Sequence, residues 1–156
     1  MKCAVRLNFP MDVFSAMKLD RKPGWIPGPY YMYLKRKGLQ TMMKVQAVFH
    51  IDEVAKWDIL LTNVQNLIRD IDRTASSVEV VANSKAVEFY RTAANGDFTE
   101  IMRRLADAGV SFVACGNALK KFEIQREELL PFVKTVPSGV LELIKCQNKG
   151  YAYLKP

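Results

Sequence analysis

Cys115, followed by Gly116 and Asn117, is the residue best placed for nucleophilic chemistry in this chain. It closes the short run Val110-Ser-Phe-Val-Ala114, apolar, β-branched and aromatic enough to read as a buried strand. Gly116-Asn117 is a turn signal, and Ala118 to Phe122 can open a helix. A thiol is thus delivered to a strand end beside a helix start. In open α/β sheets ligands bind at that edge, outside the carboxyl ends of the strands. The partial positive charge of a helix N-terminus favours thiolate there. Residue type alone supports a second reading, in which Cys115 is a small hydrophobe finishing a core strand. Ser138-Gly139, after Pro137, marks another helix start. Its free N–H groups suit a thiolate, persulfide or small anion, and the same residues equally make an ordinary turn with a serine cap. His50 is the only histidine. It is read either as part of a site or as a satisfied core residue.

Other chemistries find little support. No GxGxxG or GxxxxGK pattern is present, and no His, Cys and carboxylate residues fall at metal-ligand spacing, so neither cofactor nor metal is expected. Glu127-Glu128 reads as a solvated helical pair, not an acid/base couple. Three cysteines, Cys3, Cys115 and Cys146, are odd in number and lack CxxC spacing. That pattern suits reduced thiols in a cytoplasmic protein. No run approaches the roughly 18 apolar residues of a membrane span, and the N-terminus has no continuous apolar stretch of the secretory type. The net charge of +7 is uneven: residues 1–41 hold eight Lys or Arg against two Asp, and the other residues hold fifteen against fourteen acids. A nucleic-acid domain carries its basic stripe on the fold, so no nucleic-acid partner and no membrane partner is expected of the folded part. An RNA or membrane-surface contact by the basic arm is the remaining alternative of that kind.

The elements that must position these residues follow in order. Residues 1–41 form a basic extension broken by Lys22-Pro-Gly-Trp-Ile-Pro-Gly-Pro29. It is either an aromatic arm that docks on a surface or sequence upstream of a start at Met42 or Met43. Val45–Ile51 reads as the first strand, and Asp52 as the N-cap of a helix over about Val54 to Ile71. Trp57, Leu60, Leu61, Val64, Leu67, Ile68 and Ile71 make its apolar stripe. Ile59 falls on the polar face, where a subunit could sit. Ser77–Ala82 is the second strand, followed by Asn83-Ser84 and a short helix over 85–92. A turn at Asn95-Gly96 leads to a helix from Asp97, with Phe98, Ile101, Met102, Leu105 and Ala108 inward and Gly109 as its stop. Arg126 to Leu130 is a helical turn halted by Pro131, and Val133–Val136 is the fourth strand. The last helix carries Val140, Leu143 and Ile144 inward with Cys146 at the border of the stripe, and Tyr151–Leu154 is the final strand. Strands alternating with helices mean a parallel sheet covered on both faces.

Residues 43–156 resemble the DsrE/DsrF-like family of small sulfur-relay-related proteins. The likeness is carried by Val45–Ile51, Asn63-Val-Gln-Asn-Leu67, Val78-Glu-Val-Val-Ala82, Leu105-Ala-Asp-Ala-Gly-Val-Ser-Phe-Val-Ala-Cys115, Val136-Pro-Ser-Gly-Val140 and Gly150-Tyr-Ala-Tyr-Leu154. The resemblance implies a three-layer α/β/α fold with a five-stranded parallel sheet of order 4-3-2-1-5. It implies homo-oligomers, often trimers or hexamers, and a persulfide-carrying cysteine at Cys115. Asn83 stands where many relatives carry a histidine. In that strand order His50 and Cys115 are two strands apart, about 10 Å at roughly 4.8 Å per spacing, too far for a direct Cys–His pair. His50, Asn83 and Cys115 instead line one mouth, with Gly116, Asn117, Ser138 and Gly139 completing a binding site. Three functions are carried forward: a thiol-based sulfur carrier or sulfurtransferase-like protein with sulfur-donor and sulfur-acceptor partners, a non-catalytic oligomeric module binding a small ligand, and a surface contact made by the arm.

Overall fold

The computed structural model describes residues 43–92 and 96–156. The expected extension over 1–41, Cys3 and the turn residue Asn95 lie outside the described residues. Five short strands carry the fold: β1 (Gln46–Ile51), β2 (Ser77–Ala82), β3 (Ser111–Cys115), β4 (Lys134–Val136) and β5 (Ala152–Leu154). All pair in parallel, in the order β4-β3-β2-β1-β5, as the resemblance implies. In register, Val48 faces Tyr153, His50 faces Val81, Val81 faces Val113 and Cys115 faces Val136.

Alternation along the strands divides the core in two. Ala47, Phe49 and Ile51 of β1, Val78, Val80 and Ala82 of β2, and Phe112 and Ala114 of β3 belong to one large cluster. It is covered by α1 (Trp57–Asp70), α2 (Gly96–Asp107) and α3 (Gly116–Lys121). Trp57 stacks on Phe89 at 5.0 Å, meets the edge of Tyr90 at 5.1 Å and donates from Nε1 to the Ala86 carbonyl at 3.1 Å. The opposite face carries Val48, Val81 and Val113, packed with Leu143 and Cys146 of one helix, α4 (Gly139–Asn148). The sheet therefore has a thick side and a thin side. By the odd-and-even alternation His50 and Asn83 belong to the thin one, as does Cys115, whose β-carbon meets α4 although the residue also packs with the large cluster.

Several local expectations are corrected. Asp52 does not cap α1. A 3-10 turn, Val54–Lys56, precedes the helix, whose N-cap Lys56 makes no side-chain cap bond, and the Asp52 carboxylate accepts from Lys155 Nζ at 2.8 Å instead. The segment after β2 is 3-10 helix over Ser84–Tyr90. Glu128 is more than a solvated surface acid: it accepts from the Gln125 N–H at 2.8 Å in a capping box and pairs with Arg91. The largest revision concerns α4. Its buried residues are Gly139, Leu143 and Cys146, while Val140 and Ile144 are exposed. Gly139 packs directly against Val81 and Cys115 of the sheet, so the inward stripe is rotated by one residue from the one hydrophobicity alone suggests.

Candidate functional site

Cys115 is the last residue of β3 and the N-cap of α3, and its side chain makes no capping bond. It is buried, with 7% of its surface exposed. Two glycines fix its surroundings. A β-carbon on Gly139 would stand 3.0 Å from Cys115 Cβ, 3.4 Å from Asn83 Cβ and 3.5 Å from Val81 Cγ1. A β-carbon on Gly116 would stand 3.0 Å from the Val136 carbonyl oxygen and 3.5 Å from that of Pro137. The first turns of α3 and α4 thus interlock around the thiol, each needing a residue without a side chain. Of the two helix starts expected here, α3 is only six residues long, and the ten-residue α4 brings the larger dipole.

Ser138 accepts at Oγ from the Leu141 N–H at 3.4 Å, an ordinary N-cap. Asn117 is exposed, and its side chain makes no hydrogen bond among the described residues. Asn117 is two residues from the thiol in the chain and Ser138 precedes Gly139, and neither side chain is hydrogen-bonded to His50 or Asn83 among the described residues.

His50, half-buried near the end of β1, does not pair with Cys115. Its Nε2 lies 3.1 Å from Asn83 Oδ1 and its Nδ1 lies 2.6 Å from Tyr153 Oη. Asn83 occupies the N-cap position of the 3-10 segment, where asparagine ordinarily bonds the backbone ahead of it. Here it makes no side-chain cap bond, its oxygen being turned to His50. The next residue, Ser84, has φ +49, a left-handed conformation that a residue with a β-carbon adopts at a cost of roughly 1–2 kcal/mol. Backbone strain and a diverted cap occur together at the strand end that faces the site.

Tyr153 was not singled out by the sequence beyond its place in the final strand. The signal available was strand order, since β5 beside β1 puts Tyr153 within reach of His50. The Asp52–Lys155 pair, also absent from the sequence reading, ties the end of β1 to the residue after β5. Lys155 holds the Asp52 carboxyl below its ordinary value, chiefly through that hydrogen bond.

A second group of chemistry-bearing residues lies farther down the same face. Glu79, Glu142 and Cys146 hold their donor atoms within 4.8 Å of one another, a cluster that linear spacing could not reveal because Glu79 comes from β2. The Cys146 thiol donates to Glu79 Oε1 at 3.6 Å, and Glu142 is paired with Lys145. Burial, then the charge of Glu79, pushes the thiol up to about 11. Burial likewise raises the Glu79 carboxyl. These groups satisfy one another and keep the thiol protonated. A groove of about 370 Å³ is separate from both, lying beside α1 and the chain end, with Phe49, Asn63, Leu67 and Leu154 among its walls. Among the described residues no helix is long and apolar enough to cross a membrane.

The described fold is a three-layer parallel α/β/α sheet whose carboxyl edge carries a buried cysteine. The chain belongs to the DsrE/DsrF-like family, whose model matches residues 44–156. It is similar to the solved structure of a protein of unknown function, MTH1491 from Methanobacterium thermoautotrophicum, at 33% identity and a TM-score of 0.66, over 72% of this chain and all of that one. A conserved protein of unknown function from Bacteroides thetaiotaomicron, BT1422, is 11% identical with a TM-score of 0.56, over 70% of this chain and 93% of that one. The ychN protein of E. coli is 14% identical with a TM-score of 0.52, over 74% of this chain and all of that one. These last two share the fold. No match is found among curated proteins.

Proposed function

We propose that this protein is a thiol-based sulfur carrier or sulfurtransferase-like protein in which Cys115 accepts sulfane sulfur as a persulfide and passes it on. The family is associated with sulfur relay. The observation that carries the reading is Gly139, whose missing side chain sets the start of α4 directly against Cys115 and Asn83. Backbone N–H groups of a helix's first turn suit an anionic sulfur. In α4 the Leu141 N–H is taken by Ser138, which leaves the N–H groups of Gly139 and Val140, the first two residues of the helix, without an intrahelical partner. In loading, thiolate attacks the terminal sulfur of a polysulfide donor. One sulfur–sulfur bond forms at Cys115, the donor's breaks, and the donor departs as a shorter polysulfide anion. Transfer to an acceptor thiolate reverses the arrangement, leaving Cys115 as thiolate. The carrier works as a homo-oligomer in the cytoplasm with donor and acceptor proteins as partners. The exposed Val140, Leu141 and Ile144 of α4 and Ile59 of α1 are the surfaces for assembly.

Treatment of the purified chain with polysulfide, followed by peptide mass mapping, tests this. Cys115 gains the mass of one sulfur atom, about 32 Da, and Cys115→Ser loses the gain. Absence of the adduct at Cys115 contradicts the reading. The burial of Cys115 favours one alternative, a non-catalytic module that binds a small ligand at the same edge.

A further inference from the structure

The hydrogen bonds around His50 have a direction. A carboxamide oxygen only accepts, so the 3.1 Å contact between Asn83 Oδ1 and His50 Nε2 requires a proton on Nε2. In the uncharged ring Nδ1 is then bare and accepts from the Tyr153 hydroxyl at 2.6 Å. Donation therefore runs one way, from Tyr153 Oη to His50 Nδ1 and from His50 Nε2 to Asn83 Oδ1. The strand order β3-β2-β1-β5 lays these residues out in the same sequence across the edge. Asn83 follows β2, with His50 on one side and Cys115 on the other. Its oxygen is taken on the β1 side. Its β-carbon and that of Cys115 flank the same point, at 3.4 and 3.0 Å from where a Gly139 β-carbon would stand.

We infer that Tyr153 and His50 are positioning residues for Asn83, turning its amide so that Nδ2 presents its hydrogens to an anionic sulfur on Cys115. The inference rests on the sulfur-carrier reading for its ligand, and it assigns the selectivity of the site: a donor is set for an anion, where an unanchored amide could turn its oxygen inward. The diverted cap fits this role. Asn83 gives up the backbone bond its position offers, and its oxygen is held by the ring instead. A bare thiolate and a terminal persulfide sulfur are both acceptors for the amide hydrogens. A neutral disulfide offers them far less.

Because the chain has one histidine, nitrogen NMR of the 15N-labelled full-length protein at pH 8 reads the ring directly. The expected result is the Nε2–H tautomer in the wild type and a mixture of tautomers in Tyr153→Phe, which removes the donor to Nδ1. An Nδ1–H tautomer in the wild type overturns the inference, since it would reverse every bond in the row. As a second arm, Asn83→Asp keeps the shape and replaces the donor by an anion. Peptide-resolved alkylation of Cys115 should slow at least fivefold, with Cys146 unchanged. An unchanged rate at Cys115 also overturns it. If Asn83→Asp does not fold, the wild-type tautomer decides alone. Neither readout uses sulfur loading. Failure to load with the expected tautomer and rates refutes the carrier reading only, while loading with the reversed tautomer refutes the positioning only.

Discussion

The two buried cysteines among the described residues lie against opposite ends of one helix. Cys115 meets α4 at its first residue, Gly139, with the β-carbon of Asn83 beside it. Cys146 belongs to the last turn of α4 and lies between Glu79 and Glu142. The helix dipole favours negative charge at the first place and opposes it at the second. At Cys146 burial first, and then the charge of Glu79, pushes the thiol up to about 11. Both side chains are nearly out of solvent, with 7% and 3% of their surfaces exposed. The lesson is that similar exposure leaves these thiols in different surroundings: acidic side chains of β2 and α4 stand beside Cys146, while Cys115 meets the opposite end of the helix.

Perturbing each end of α4 sharpens the contrast. The largest effect belongs to Cys146. A thiol moved from 9.0 to about 11 presents roughly a hundredfold less thiolate at pH 8, so its alkylation should be slower by that factor than that of an unperturbed thiol. The rate should climb about tenfold per pH unit until it levels near pH 11. A plateau already reached at pH 9 would break the comparison from the acidic end.

At the other end, crowding is the lever. Gly139→Ala and Gly116→Ala each place a β-carbon 3.0 Å from a neighbouring atom. Overpacking of this kind costs about 1–3 kcal/mol, read as a lowered midpoint in urea. Gly116→Ala should be the worse of the two, because its obstacle is the Val136 carbonyl oxygen, fixed in the β4 ladder. Gly139→Ala presses on the β-carbons of Cys115 and Asn83. It should therefore also change the alkylation rate of Cys115, which a purely structural glycine would leave alone.

Glu79→Gln gives the smallest effect, and its sign is the test. Burial holds the Glu79 carboxyl above its ordinary value of 4.5 in the folded chain. Its contribution is therefore fully present below about pH 4.5 and is lost as pH rises through the elevated value. Replacing it with the neutral amide should leave the melting temperature nearly unchanged at pH 4 and raise it at pH 7. Alkylation of Cys146 should quicken in the same variant. A lower melting temperature at pH 7 would show that the carboxylate stabilises the thin face.

Much of this site was legible in the sequence, for identifiable reasons. Val110–Ala114 and the turn at Gly116 announce a strand ending at the thiol, and the segment resemblance supplies a strand order that proves correct. That order also separates His50 from Cys115. Periodicity failed on α4, because Gly139 reads as a turn residue when it is in fact the inward contact. It failed on Asp52 because Lys155, a hundred residues away, competes for the carboxylate that a local cap would use. The Tyr153–His50–Asn83 row and the Glu79–Cys146 pair are contacts between distant strands and helices. No local pattern encodes them, and only register brings them together.

The most direct test of the contrast is a competition within one sample. The native full-length chain is treated with limiting iodoacetamide at pH 7.5, and modification is measured separately on the peptides carrying Cys115 and Cys146. The account predicts that Cys115 is modified at least ten times faster than Cys146. Equal rates, or a faster reaction at Cys146, would contradict it.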